Sequence, residues 1–240
     1  MKTKIIVTLL ILVGLGTGFV WLKKNNYVPA LLPKQEVDNT AQDETAIRSF
    51  MAEPALELAF VKSDVPFPVY FRVGKVTQME GGENMEAVEG WTRQVDIYHQ
   101  KELLNGQCSV YEYHVDSRNH SLVAVVIAGL KPSEIEGYKS NGVICSDTSS
   151  NTMPKITKTE AEAVAFGYLV RGVKNFDQIK EQFIYSGKYG GELHQWFWED
   201  KGYKLPEGLE GRPYSYPTIR ITVDGNKQIQ YWNTVPLFEN

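Results

Sequence analysis

The sequence predicts an α+β protein with an N-terminal transmembrane helix, then a β-rich region, then a C-terminal unit of one helix and an antiparallel sheet. Three observations carry that expectation. An apolar run without charge extends from Ile5 to Leu22; stretches of alternating apolar and polar residues follow it; and a helical period opens behind Thr157-Lys158-Thr159-Glu160.

The apolar run is bracketed by Lys2 and Lys4 before it and Lys23 and Lys24 after it. As a helix it spans about 27 Å, close to the hydrocarbon thickness of a bilayer. Trp21 beside the second lysine pair suits a membrane interface. The expectation is a single-pass anchor at residues 1–24, with the N-terminus in the cytoplasm and the body outside. A cleaved signal peptide is the alternative, because Gly16 and Gly18 offer small residues at a cleavage site after Gly18.

Beyond Lys24 the chain keeps 21 basic against 29 acidic residues, a net charge of −8, which argues against nucleic acid as a partner. With 42% hydrophobic and 12% aromatic residues over the whole chain, the remainder is rich enough in apolar side chains to fold. Residues 25–44, with Pro29, Pro33 and a run of Gln, Glu, Asp and Asn, read as a linker. A short helix is expected from Ala46, with Ile47, Phe50 and Met51 on one face and a break at Pro54.

A β-rich extracytoplasmic domain is expected over 45–150. Val69–Val76 and Trp91–Tyr98 alternate as strands, joined through the glycine-containing stretch Glu80–Asn84. A hairpin runs from Val110–Val115 through Asp116-Ser117-Arg118-Asn119 into Leu122–Ala128. That last run is apolar at every position, as in a strand covered on both faces, so its place is the middle of a sheet. Ser133–Thr152 reads as a connection.

The second unit is expected over 151–240. Ala161, Val164, Ala165, Tyr168 and Leu169 recur at helical spacing, with Gly172 as the stop. Phe183–Ser186, Leu193–Trp198, Thr218–Val223 and Gln228–Trp232 follow as strands, the last two joined by Asp224-Gly225-Asn226.

Two stretches of this unit, Ile156–Ala165 and Ile219–Ile229, resemble the helix opening and the closing hairpin of PepSY-type domains, small modules of metallopeptidase propeptides and bacterial envelope proteins. The chain departs from that pattern at Gly225, which directly follows Asp224, and in the long Glu199–Tyr216 loop. The strand, turn and strand of Val110–Val123 repeat part of the same pattern. The resemblance implies a binding or inhibitory module outside the membrane and supplies no catalytic residue.

Trp196, Trp198, Tyr214 and Tyr216 are the candidate binding residues. Two tryptophans at alternate strand positions share one side, and flat aromatic faces grip a peptide or protein at low entropic cost. Their alternative place is the core, packed on Val164 and Tyr168. Cys108 and Cys145 form an even pair that suits a disulfide in an extracytoplasmic domain, with two buried thiols as the other reading. His114, Asp116 and His120 flank one turn, where a metal would need both imidazoles on one face; no third strong ligand is evident, and no cofactor motif occurs. The function expected is non-catalytic binding of a peptide or protein at the cell envelope. A structural part of an envelope assembly is the alternative, and a hydrolase the third class.

Overall fold

The computed structural model describes residues 40–68, 71–72, 78–79, 82–83, 86–87, 92–146, 155–190, 193–204 and 216–238. The expected membrane span at Ile5–Leu22, most of the linker, most of the strand at Val69–Val76 and Tyr214 lie outside these residues. Among the described residues no helix is long and apolar enough to cross a membrane.

The architecture corrects the expected fold class. The two β-rich stretches join in one antiparallel sheet of eight strands. These are β1 (Leu58–Pro68), β2 (Thr92–Gln100), β3 (Ser109–Asp116), β4 (Leu122–Gly129), β5 (Ile184–Gly190), β6 (Leu193–Glu199), β7 (Thr218–Asp224) and β8 (Ile229–Asn233), in the order β1-β2-β3-β4-β8-β7-β6-β5. The seam is β4 against β8, where Val125 pairs with Tyr231 and Ala124 with Trp232. Its physical reason is the apolar strand itself. A strand buried on both faces must also pair both backbone edges, since an unpaired buried N–H or C=O is costly. Strand β3 supplies one edge and β8 the other.

Each half follows the same plan, a helix and then a four-stranded meander. In the first half it is α1 (Thr40–Met51) and β1–β4. In the second it is α3 (Lys158–Gly172), the short α4 (Phe176–Gln182) and β5–β8. Two further short helices, α2 (Pro132–Ser140) and α5 (Val235–Phe238), lie after β4 and after β8. The tight turns correspond as well. The Asp116 carboxylate accepts from Arg118 N at 2.9 Å, and that of Asp224 from Asn226 N and Gln228 N. Each turn carries one residue at positive φ, His120 at 57° and Lys227 at 61°.

Helix α3 forms where its local signals put it. Thr157 Oγ1 accepts from Glu160 N and the Glu160 carboxylate accepts from Thr157 N, satisfying two orphan donors of the first turn. Its buried stripe is Ala161, Ala165 and Leu169. Helix α1 begins within the expected linker, with Asp43, Ile47 and Phe50 buried on one face.

Both helices cover one face of the sheet, meeting Tyr98, Tyr113, Val125, Ile221 and Tyr231 in the main core. A smaller core of Phe67, Val95, Val123, Ala124 and Leu237 forms on the opposite face. The hairpin β3–β4 serves both. Val115 pairs with Leu122 but His114 with Ala124, so Val123 is an extra residue. Beyond this bulge the alternation resumes with Val125 in the main core.

The helices meet at Phe50. Its ring centroid lies 5.1 Å from that of Tyr168 and 4.7 Å from that of Tyr231. Arg171 Nε donates to Phe50 O at 2.7 Å, and Tyr231 Oη donates to Gly172 O at 3.0 Å. A Cβ at Gly172 would come within 2.6 Å of the Phe50 ring and 3.0 Å of Tyr231 Oη. The residue that ends α3 is therefore glycine for space. Gly172→Ala is expected to destabilise the fold by about 1–3 kcal/mol, the usual scale of overpacking, measured by urea unfolding; an unchanged midpoint contradicts this close approach.

Candidate functional site

Trp196 and Trp198 take their alternative place, the core. Trp196 is 1% exposed and Trp198 4%. The face of β6 that bears His194, Trp196 and Trp198 turns to the helix layer. There Trp198 meets Phe166 at 6.2 Å, Phe176 at 5.2 Å and Tyr185 at 5.3 Å between ring centroids. His194 Nε2 lies 3.0 Å from Ile156 O, with its ring stacked on Trp196. Alternation places the two tryptophans on one side, and the helix layer is what occupies that side. Tyr216 is half-buried with Lys201 Nζ 4.5 Å from its ring centroid. Cys108 and Cys145 are joined in a disulfide, so they are not free thiols. The bridge ties the strand end at Ser109 to the segment after α2, where Cys108 N also donates to Ser146 O.

The three residues around the β3–β4 turn go to separate partners. His114 Nε2 and His99 Nε2 lie 2.7 and 2.9 Å from the two oxygens of Glu112. Asp116 pairs with Arg118 at 2.7 Å. His120 turns towards α1. Among the described residues no group of three or more His, Cys, Asp or Glu side chains is placed to hold a metal ion.

The arrangement around His120 is the feature that sequence reasoning missed. His120 N donates to Asp116 O, Asp116 N donates to Ser121 O, and Asn119 Oδ1 accepts from Ser121 N. This closed turn holds His120 at φ 57°, a conformation that non-glycine residues adopt rarely and that marks functional positions more often than others. The imidazole thereby reaches α1, with Nδ1 2.7 Å from Asp43 Oδ1. The other Asp43 oxygen accepts from Tyr98 Oη at 2.8 Å. Asp43 is 0% exposed. Burial pushes its carboxyl above the ordinary range, while the bonds from His120 and Tyr98 pull it back. Burial and then the Asp43 bond push the Tyr98 phenol well up.

In front of His120 lies a cleft of about 380 Å³, walled by α1, the end of α3, the start of α4 and the ends of the seam strands β4 and β8. That volume falls in the range of small-ligand sites. Its polar lining comprises Ser49, His120, Ser121, Arg171, Lys174, Asn175 and Asn233, with Phe50, Leu122 and Val235 among the apolar residues. It includes two cationic side chains and no carboxylate. Comparison of the chain with protein-family models, with curated proteins and with solved structures finds no match. The site therefore stands on its own geometry. Its sequence signal is faint: Arg171, Lys174 and Asn175 cluster at a helix end, while Asp43 sits among polar residues that read as linker.

The His99–Glu112–His114 cluster sets an acid-side response. Hydrogen bonds from His114 first and then His99 lower the Glu112 pKa from 4.5 to about 2. A lowered carboxylate adds stability that is whole above pH 4.5 and is lost as pH falls towards about 2. Asp43 and Asp224, raised by burial, act in the opposite sense: their desolvated charge costs stability at neutral pH, and acidification relieves that cost. Glu112→Gln is expected to flatten the fall of the thermal midpoint between pH 4.5 and about 2. A mutant whose midpoint falls as steeply as the parent's there would remove Glu112 from the account.

Proposed function

We propose that the chain is an extracytoplasmic binding protein of the cell envelope, acting by binding rather than catalysis, with the cleft before His120 as its ligand site. The observation that carries this reading is a concave site whose wall is fixed from behind. A fully buried carboxylate with both oxygens bonded holds an imidazole, in a strained backbone, at the mouth of a cleft lined by cations and hydrogen-bonding groups. The partner in this proposal is a peptide or a protein segment.

Two observations support the compartment. The Cys108–Cys145 bridge suits an oxidising environment, and the Ile5–Leu22 segment has the composition of an export or membrane-attachment signal. The PepSY-type resemblance belongs to the same proposal, and the helix-then-meander plan of each half is compatible with a unit present twice. A second reading, a structural part of an envelope assembly with no ligand, is favoured by the burial of Trp196 and Trp198.

In cells, alkylation before reduction is expected to label neither cysteine, and alkylation after reduction to label both; free thiols in the native chain argue against the compartment. Screening short peptides by amide chemical shift distinguishes the two functional readings. The expected result is shifts that cluster at Ser121, Gly172 and Lys174. Binding that maps elsewhere, or no binding across the screen, favours the structural part.

A further inference from the structure

The charge around the cleft is of one sign. His120 commits Nδ1 to Asp43, so Nε2 is the ring nitrogen left for a ligand. Arg171 commits Nε to Phe50 O, and its guanidinium lies 4.7 Å from the Tyr168 ring centroid, which holds the group in place and leaves its terminal amino groups. Asn233 is committed on the protein itself, its carbonyl oxygen accepting from Val235 N and its side chain also bonding Tyr231. Lys174 brings an ammonium, a donor only. The charged side chains that line the cleft, Arg171 and Lys174, are thus both cationic. Asp43 is fully buried and already bonded at both oxygens.

A cleft lined by two cations and no carboxylate suits an anionic group that accepts from both, and an ionised carboxylate is such a group. The apolar part of the lining adds a second requirement. Phe50, Leu122, Val170, Val173 and Val235 offer nothing to a compact hydrated anion but cover a short hydrocarbon stem. The volume of about 380 Å³ suits a small guest.

We infer that the cleft binds a carboxylate carried on a short aliphatic stem, with Lys174 and Arg171 supplying the charge and the apolar lining taking the stem. This rests on the cleft being the ligand site and names the chemistry of what enters it. Two sources share that chemistry, the Asp or Glu side chains of an acidic peptide and a free dicarboxylate.

Calorimetry and amide chemical shifts of the full-length chain test it with four probes: acetyl-Asp-Glu-amide, its neutral counterpart acetyl-Asn-Gln-amide, glutarate and inorganic phosphate. The expected result is that a carboxylate probe shifts Ser121, Gly172 and Lys174, and that Lys174→Gln weakens it about tenfold, as loss of one charge-assisted bond does, while Lys174→Arg retains it. Preference for the acidic peptide assigns the source to a polypeptide, and preference for glutarate to a small molecule; either supports the inference. Equal binding of the acidic and neutral peptides in the cleft overturns the carboxylate and leaves a peptide site. Phosphate binding more tightly than both carboxylates overturns the stem. No shift at the cleft with any probe, in a chain whose unfolding midpoint is normal, overturns the site itself.

Discussion

The seating of Phe50 on Gly172 is the constraint from which the rest of the described structure follows. Two helices on one face of a twisted sheet must cross close together if both are to reach it, and closest approach needs a position without a side chain. Gly172 provides that position. The Phe50 ring fills it, and Tyr231 closes it from the sheet through its bond to Gly172 O. Since Tyr231 lies on β8 opposite Val125 of β4, one contact fixes the helix pair over the seam that joins the two halves. The cleft is the space left beside this contact, where α1 and the end of α3 separate above the ends of β4 and β8.

The likeness of the two halves puts the site in perspective. In each, a turn opened by an aspartate places a residue at positive φ against the first turn of its helix. In the second half that pair is exposed: Lys227 lies near enough to Glu160 to help lower its pKa, less than the Thr157 bonds do. In the first half the corresponding pair is His120 and Asp43, which is buried and shared with Tyr98. The same backbone device is a solvated charge contact in one half and the fixed wall of a cleft in the other. Burial of Asp43 costs free energy, and the bonds to both of its oxygens offset part of that cost.

Much of the local structure was legible because its causes are local. Helix α3 announced itself by a threonine and a glutamate three positions apart and by alanines spaced for one face; hairpin β3–β4 did so by alternation interrupted at Asp116. The seam was not legible. Val125 and Tyr231 are more than a hundred positions apart, and nothing within either strand specifies the other. Helix α1 was legible from Ala46 through Ile47, Phe50 and Met51, but its first turn was hidden by Gln42, Asp43 and Glu44, whose polarity imitates a linker. Only Tyr98 and His120, far along the chain, make a buried aspartate tolerable there. For the tryptophans, alternation established a shared side and could not say that the helices occupy it. The candidate site fell in the same gap, because each of its walls comes from a different element and no two of its decisive residues are close in sequence except Arg171 and Lys174.

The bond between His120 and Asp43 orders the wall of the cleft and leaves Nε2 as the uncommitted ring nitrogen. Nitrogen-15 NMR of the imidazole reads this directly. The expected result is a hydrogen on Nδ1 that exchanges slowly with water and disappears as a protected signal in Asp43→Asn, with Nε2 in contact with solvent. A ring carrying its hydrogen on Nε2, or an Nδ1 hydrogen that exchanges as freely as in an exposed histidine, would contradict it.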